Sequence, residues 1–328
     1  MKHQITQEGL AFRLRPVTLQ DAAFIVEIRL ADAQRNQYIH QISAEVSVQE
    51  NWLNEYFKRE GDYYFVVENK FTHQPEGLIG LYDVQDGKAE WGRWVIKQGS
   101  LAAAESVDLI FRVAFDVLHL QECYSRTIED NVQTVAFHDS VKELRRAILQ
   151  DCFTLHGKTY NAVEHYVTPQ HFEQTVHPLL QRTALRIFQR FFKQATQAEL
   201  TFHHLGVACR NMQRDLLSYG WLGYSPVGEP FEDPQQGIKG LFLQAKGQPT
   251  LELLENLPGA HTLDAWINNR VKIYHFAYTT PQIEKTLKVF LSLGAKLISP
   301  MKQSTYFQKR ICFFMLPNMF MIELIEKI

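Results

Sequence analysis

The sequence predicts a two-domain protein of the α+β or α/β class, with a duplicated β-rich module in its C-terminal half. The chain has 328 residues, which is more than one average domain contains. Its first half alternates β-rich runs with amphipathic helical patterns. In its second half three landmarks recur at a constant offset of 71 residues, the sign of a duplicated structural unit. These landmarks are the pairs His204 and His275, Gly223 and Gly294, and Glu252 and Glu323.

Composition restricts the compartment and the partners. The net charge is −2 and charged residues make up 21% of the chain, so we expect neither nucleic acid nor an anionic membrane as a partner. Four scattered cysteines lack the spacing of a metal or disulfide site and are interpreted as reduced thiols. No signal peptide is evident, and no apolar run approaches the roughly 20 residues of a membrane span. We therefore expect a cytoplasmic protein with small-molecule substrates, and a homodimer stays open.

The first half is predicted to contain both strands and helices. Residues 10–30 are typical of a strand, a turn capped by Thr18 and a helix. An amphipathic helix is predicted after residue 97, because apolar side chains recur there at the helical spacing. The segment NVQTVAFHDSVKELRRAIL, residues 131–149, is predicted as a further helix. Strands are predicted at 63–69, 76–84, 88–97 and 122–128.

A long helix is predicted at 168–196, where Thr168 can act as its cap and Pro169 suits its first turn. One face carries an apolar stripe, so we expect the helix to pack on at least one domain. Another face carries arginines at every fourth position, and we interpret it as solvated rather than bound to an acidic partner. The expected organisation is a first domain at 1–167, a connecting helix at 168–199 and a second domain at 200–328, with modules at about 200–260 and 271–328.

The repeated histidines and glutamates predict a metal site. Glu252 and Glu323 lie inside apolar strands, where an ionised carboxylate without a partner is unfavourable. A divalent metal shared with His204 and His275 would remove this penalty. Two imidazoles and two carboxylates suit Zn²⁺, Ni²⁺, Co²⁺, Mn²⁺ or Fe²⁺. The alternative is a set of core histidines and strand-edge glutamates with ordinary partners, which the matched offsets make the weaker interpretation.

Residues 200–328 resemble the vicinal-oxygen-chelate superfamily, whose members pair βαβββ modules. HHLGVAC, LELLEN, YHFAY and MIELIE match the ligand positions of glyoxalase and of methylmalonyl-CoA epimerase. The resemblance implies that His204, Glu252, His275 and Glu323 hold one divalent metal. Because both copies contribute ligands, it favours the isomerase and epimerase branch over the ring-opening dioxygenases. In that branch the metal polarises a carbonyl or enediolate oxygen and a glutamate moves the α-proton; Glu323 is the candidate, and which glutamate acts stays open.

Residues 10–167 resemble the GNAT acetyltransferases, in particular those that acylate amino-sugar nucleotides or ribosomal N-termini. The matching segments are LRPVTLQDA, EWGRWVIK before a helix, and NVQTVAFH after a strand. The resemblance implies acetyl-CoA or another acyl-CoA, with its pyrophosphate against the loop KQGSLAAAES and the start of the next helix. Alanines stand where the family pattern Q/R-x-x-G-x-G/A has glycines. The implied cofactor-binding residues are Val95, Lys97, Gly99, Ser100, Leu101, Ala102, Ala104 and Asn131.

The same resemblance implies catalytic positions. Asn131 begins a helix as the family's asparagine does. Seven residues later His138 stands where the family often has a tyrosine that protonates the leaving thiolate. His138 is therefore a candidate acid, with a structural role as the alternative. Glu90 is at a position where related enzymes have a carboxylate facing the acceptor amine, so it is the candidate base, with a solvated strand residue as the alternative.

These observations predict a bifunctional enzyme. One domain would be an acyl-CoA-dependent N-acyltransferase whose acceptor is an amino-sugar nucleotide. The other would be a metal-dependent glyoxalase- or epimerase-type domain acting on an acyl thioester or an α-hydroxy or keto carbonyl compound. One alternative is a metal-dependent lyase or isomerase whose GNAT half only senses CoA. The other is a binding protein in which neither half is catalytic.

Overall fold

A computed structural model describes residues 2–32 and 36–327 of the chain. The chain divides into two compact units, Met1–Phe191 and Phe192–Ile328. Over the described residues each unit contains one eight-stranded sheet. No helix in these ranges is long and apolar enough to cross a membrane.

The first unit is a mostly antiparallel sheet with helices on both faces. Its strands are β1 Gln7–Glu8, β2 Phe12–Pro16, β3 Tyr63–Asn69, β4 Pro75–Gln85, β5 Lys88–Ile96, β6 Glu122–Ile128, β7 Leu144–Leu155 and β8 Lys158–Val167, in the spatial order β1-β2-β3-β4-β5-β6-β8-β7. Its helices are α1 Ala22–Leu30, α2 Val46–Tyr56, α3 Ala103–Arg112 and α4 Val132–Ser140. Alternate residues of β3 face opposite layers: Tyr64 and Val66 pack with α1 and α2, whereas Phe65 and Val67 pack with α3.

The central strands β5 and β6 are parallel neighbours, and they pair only at their beginnings. The pairing runs from Lys88 opposite Glu122 to Glu90 opposite Tyr124, and no described residue continues it. Beyond that point the two strands separate. The register of β5 against β4 also shifts between Leu78 and Gly80, close to Arg93, whose φ of 48° is unusual for a residue with a side chain. A cleft therefore opens within the sheet.

The long helix predicted at 168–196 is confirmed. It consists of α5 Pro169–His171, a wider turn at Phe172–Val176 and α6 His177–Thr196, and the Thr168 side chain accepts from His171 N. Phe172 and Val176 are buried in the core of the first unit, where the Phe172 ring packs against the rings of Phe111 and Phe115. The expectation that this helix packs on a domain is therefore correct. The arginine face is exposed, as expected for a solvated surface.

The prediction of a helix at 131–149 is correct for its first half and wrong for its second half. The helix α4 ends at Ser140, and the chain then turns through Lys142, whose φ is 67°. Residues Leu144–Leu155 form β7, which pairs with β8 through a two-residue turn at His156 and Gly157. Most side chains of β7 are exposed, so the segment carries no alternating apolar pattern. Backbone pairing with β8, which a local pattern does not encode, decides its conformation.

The second unit repeats one βαβββ arrangement twice, as predicted. The first copy contains β9 Thr201–Cys209, α7 Met212–Gly220, β10 Ser225–Asp233, β11 Ile238–Gln244 and β12 Leu251–Asn256. After α8 Asp264–Asn268, the second copy contains β13 Ile273–Thr280, α9 Ile283–Ser292, β14 Lys296–Gln303, β15 Arg310–Met315 and β16 Met321–Glu326. The sheet order is β10-β11-β12-β9-β13-β16-β15-β14, so the copies are related by a pseudo-two-fold axis between β9 and β13.

Candidate metal centre and acyl-transfer cleft

Four neighbouring strands bring the predicted metal ligands together. His204 lies on β9, Glu252 on β12, His275 on β13 and Glu323 on β16. These strands are adjacent in the order β12-β9-β13-β16 at the centre of the sheet. The first strand of each copy supplies the histidine and the last strand supplies the glutamate. The duplication therefore places two matched His–Glu pairs on either side of the pseudo-two-fold axis.

The four side chains converge on one point. The Nε2 atoms of His204 and His275 are 3.1 Å apart. Glu252 Oε2 is 3.0 Å from His204 Nε2 and 3.7 Å from His275 Nε2, and Glu323 Oε2 is 3.3 and 3.4 Å from the same atoms. Metal bonds of about 2.1 Å would separate neighbouring ligand atoms by about 3.0 Å in an octahedron and about 3.4 Å in a tetrahedron. The donor set and its spacing therefore fit one divalent metal.

Burial and charge also favour a cation at this point. The four residues are buried, with exposures between 0% and 5%. Glu323 Oε2 faces both imidazoles, yet within the described part of the chain it makes no hydrogen bond of acceptable geometry. Burial alone lowers the pKa of an imidazole, but the carboxylates of Glu252 and Glu323 outweigh it and raise the pKa of His204 to about 10. The cluster thus stabilises positive charge between the carboxylates, which a divalent cation would supply.

His203 supports His204 from outside the cluster. Its Nδ1 is 2.7 Å from His204 Nδ1, so one shared proton can join the two rings. This contact occupies Nδ1 of His204 and leaves Nε2 facing the centre. Metal-binding histidines commonly use their second nitrogen in this way. The repeat does not indicate a role for His203, because Tyr274 takes the matching position in the second copy.

Gly206 lets the ring of His275 approach the neighbouring strand. It lies opposite His275 in the β9–β13 pairing, and a Cβ there would come within 2.0 Å of His275 Cε1. We expect Gly206→Ala to displace the ring and to weaken metal binding by about 10- to 100-fold, the usual effect of losing a ligand's support. A metal titration measures this. Gly220→Ala is the control, since a Cβ at Gly220 would meet no atom of the described residues within 4 Å. Unchanged affinity in Gly206→Ala would mean that His275 is not a ligand in this position.

In the first unit, a cavity of about 790 Å³ lies where β5 and β6 separate. Its walls include residues 91–95 of β5, residues 125–128 of β6 and the segment 38–43. Four of the residues singled out from the sequence also line it, namely Glu90, Val95, Asn131 and His138. Asn131 caps α4, where its side chain accepts from Thr134 N over 3.4 Å.

The other predicted cofactor residues lie in the turn that leads into α3, except Ala104, which lies in the first turn of α3 itself. They are Lys97, Gly99, Ser100, Leu101, Ala102 and Ala104, and they are not part of the cavity wall. Ser100 organises this turn: its Oγ donates to Glu76 Oε2 over 2.5 Å and accepts from Ala102 N over 3.1 Å. Gly99 has a φ of 80°, which favours glycine. Ala102 is fully buried, so the exposed side of the turn is formed by residues 97–99.

Glu90 lies where β5 and β6 stop pairing. Its carboxylate is buried, with Oε1 accepting from the Tyr82 hydroxyl over 3.1 Å and Oε2 lying 3.4 Å from an Arg126 nitrogen. Burial raises the pKa of Glu90, although Arg126 opposes the rise. A carboxylate whose pKa moves toward neutrality is better matched to receive a proton at neutral pH. Tyr82 and Arg126 are neighbours of the site that no sequence pattern indicated.

His138 is buried on α4 and held by contacts at both ring nitrogens. Its Nε2 is 3.2 Å from Thr127 Oγ1, and its Nδ1 is 2.9 Å from Glu143 Oε2. The ring also stacks on His165 with a centroid distance of 4.8 Å. Neither Thr127 nor Glu143 was among the predicted site residues. Glu143 was missed because it falls in the segment that the sequence predicted as helix.

Comparison with known families finds one match in each half of the chain. Residues 12–141 match the family described as Acetyltransferase (GNAT) domain. Residues 203–314 match the Glyoxalase/Bleomycin resistance protein/Dioxygenase superfamily. The chain joins a GNAT acetyltransferase domain to a glyoxalase-type domain. Both family resemblances predicted from the sequence are thereby confirmed. GNAT domains use acyl-CoA, and glyoxalase-type domains commonly bind a divalent metal.

Several solved structures of acetyltransferases are similar to part of the chain. A GCN5-related N-acetyltransferase from Brucella melitensis is 19% identical with a TM-score of 0.49, covering 57% of this chain and 86% of that chain. A probable GNAT-family acetyltransferase from Chromobacterium violaceum is 16% identical with a TM-score of 0.48, covering 52% and 89%. Apo FdhC, a nucleotide-linked sugar GNAT, is 21% identical with a TM-score of 0.45, covering 58% and 99%. No curated protein sequence gave a significant match.

Proposed function

We propose that the first domain is an acyl-CoA-dependent N-acyltransferase. The observation that supports it most is the cavity between the separated strands, because it places the buried Glu90 carboxylate beside unpaired backbone of β5 and β6. Backbone groups freed from strand pairing need other partners. The amide groups of a pantetheine chain and the carbonyl of a thioester can serve as those partners.

The residues of the cleft suit transfer of an acyl group to an amine. The amine nitrogen attacks the thioester carbonyl, the carbon–nitrogen bond forms and the carbon–sulfur bond breaks. Glu90 accepts the proton that the nitrogen loses, directly or through water. The burial that raises the pKa of Glu90 favours this role. The products are the amide and free CoA.

The proposed acceptor is a nucleotide-linked amino sugar, which combines an amine with negative charge. Three arginines line the cavity, Arg29, Arg93 and Arg126. Arg93 is paired with Asp62, and Arg126 with Glu90 and Glu164. Arg29 instead donates to a backbone carbonyl, that of His40. Among the described residues this backbone contact is not accompanied by an ion pair of Arg29, so its charge is available to an anionic group of the acceptor.

The second domain is proposed to hold one divalent metal through His204, Glu252, His275 and Glu323, and to carry out glyoxalase- or epimerase-type chemistry. A metal bound there would act as a Lewis acid toward a carbonyl or enediolate oxygen. Glu323 is the candidate for moving the α-proton. The proposed substrates are an acyl thioester or an α-hydroxy or keto carbonyl compound. If the substrate is an acyl thioester, both domains would act on the same class of compound.

Titration with acetyl-CoA is the direct test of the acyl-CoA site. We expect binding of the intact chain, and we expect Ser100→Asp to weaken it by roughly fivefold, because a carboxylate at the turn before α3 repels the pyrophosphate by about 1 kcal/mol. Ser100→Asn is the matched control, with the same size and no charge. No binding by the unmodified protein at millimolar acetyl-CoA would refute the acyltransferase proposal. Equal weakening by Asp and Asn would show that the pyrophosphate lies elsewhere.

A further inference from the structure

Three buried polar side chains form a chain of contacts that ends at the cleft. Glu143 Oε2 is 2.9 Å from His138 Nδ1, and His138 Nε2 is 3.2 Å from Thr127 Oγ1. None of the three residues is more than 8% exposed. They come from separate elements, since Thr127 lies on β6, His138 on α4 and Glu143 between α4 and β7. The tertiary fold therefore builds this arrangement, which we call the Thr127–His138–Glu143 relay.

The chemistry of the groups gives the relay a direction. A carboxylate only accepts hydrogen bonds, so Nδ1 of His138 carries the proton shared with Glu143. The nitrogen that can gain or lose a proton is then Nε2, which faces the Thr127 hydroxyl. When the ring is protonated, Nε2 donates to Thr127 Oγ1. The hydroxyl's own proton is then free to be donated onward.

The relay opens into the acyl-transfer cavity. Thr127 and His138 line the cavity together with Glu90, and Thr127 lies beyond the last paired residues of β5 and β6. The Thr127 hydroxyl occupies the Nε2 side of His138. A proton leaving His138 toward the cleft therefore passes through Thr127. The second oxygen of Glu143, Oε1, has no hydrogen-bond partner among the described residues, so the Glu143 side chain is directed at His138 through Oε2 alone.

We propose that Thr127 donates the proton to the departing CoA thiolate and that His138 replaces it, with Glu143 as the positioning residue. This inference rests on the proposed acyltransferase function. As the carbon–sulfur bond breaks, the sulfur takes the hydroxyl proton of Thr127, and Thr127 takes a proton from His138 Nε2. The proton lost by the amine goes to Glu90. Neutral His138 and protonated Glu90 exchange protons with solvent before the next turnover, so the net reaction forms one amide and one thiol.

Two acyl donors with different leaving groups distinguish proton donation by the relay from a purely structural role. Loss of proton donation lowers activity only with the donor whose leaving group needs a proton, whereas structural damage lowers activity with both. The intact chain is assayed with UDP-glucosamine as the probe acceptor and with two acyl donors, acetyl-CoA and 4-nitrophenyl acetate. A 4-nitrophenolate leaves without needing a proton. We expect Thr127→Val and Glu143→Gln to lower kcat with acetyl-CoA by about 100-fold or more, the usual contribution of general acid catalysis, with little change in KM. With 4-nitrophenyl acetate the loss should stay below about threefold.

Two further variants separate the relay from packing effects. Thr127→Ser restores a hydroxyl and should recover most of the activity with acetyl-CoA. Thr154→Val makes the same chemical change on β7 outside the cavity, and it should behave as the unmodified protein. Equal losses with both donors, or no rescue by Thr127→Ser, would overturn the relay while leaving the acyltransferase function intact. Acetyl-CoA binding without any turnover of either donor would overturn both proposals.

Discussion

The double change His204→Ala, Glu323→Ala should abolish metal binding by the second domain. The two residues come from different copies of the repeat, and their side-chain atoms lie 3.3 Å apart at the centre of the cluster. Even an outer partner of a metal ligand contributes about 10- to 100-fold to affinity, so loss of two direct ligands should exceed that range. Elemental analysis after reconstitution with Zn²⁺, Ni²⁺, Co²⁺, Mn²⁺ or Fe²⁺ should find about one ion per unmodified chain and none in the double variant.

Glu326 provides a matched control for Glu323, because both glutamates lie on β16. Glu326 ends β16 and pairs with Arg310 at the surface of the sheet. Glu326→Gln should keep the full metal content, because it removes a carboxylate from the same strand without removing a ligand. Thermal unfolding should show that both proteins are folded before their metal is compared. Retention of the ion by the folded double variant would refute the ligand set, and absence of metal from the unmodified protein would refute the metal centre.

The change Glu90→Gln should produce the largest loss of acyl transfer. Glutamine keeps the shape and can still accept from Tyr82, but it takes no proton from the amine. General base catalysis contributes about 100- to 10,000-fold, and we expect kcat to fall within that range. The affinity for acetyl-CoA should change little, because the predicted pyrophosphate site is the turn before α3. Release of the CoA thiol with UDP-glucosamine as the probe acceptor measures turnover, and calorimetry measures binding.

Glu164→Gln tests whether such a loss comes from Glu90 itself. Glu164 is also buried and lies 3.0 Å from Arg126, the arginine that Glu90 contacts. Removing its charge disturbs Arg126 without changing the proposed base, so turnover should fall by less than the roughly 100-fold minimum expected for loss of a general base. If the two variants lose the same activity, Arg126 and not Glu90 is the important group. Normal turnover in Glu90→Gln would exclude Glu90 as the base.

The repeat made much of the second domain predictable. A constant offset of 71 residues carries both the order of the elements and the pairing of His204 with His275 and of Glu252 with Glu323. Charged side chains inside apolar strands are unfavourable without partners, so the sequence itself indicates the need for a cation. The sequence alone did not reveal the support that His203 provides. That support depends on the direction of the His203 side chain, and the second copy has Tyr274 at the matching position.

The first domain shows where local patterns are insufficient. Strand composition predicted β3 to β6, but the separation of β5 from β6 follows from a pairing that stops at Glu90, and this interruption makes the cavity. The strand β7 was mistaken for helix, and the same error hid Glu143. The mostly exposed side chains of β7 have no periodic pattern, so only its pairing with β8 defines it.

The sequence by itself determined the two-domain organisation, the duplication and the residue types that suit a metal. These properties follow from periodicity and from the unfavourable burial of charge, which are local or repeated features of the chain. Only the tertiary structure decided that Thr127, His138 and Glu143 meet, and that the ring of His275 fits against Gly206. These residues are brought into contact by the fold, and the sequence around each of them does not predict how close they lie in space. Strand register and packing set that distance, because side chains of distant segments meet only after the backbone has paired.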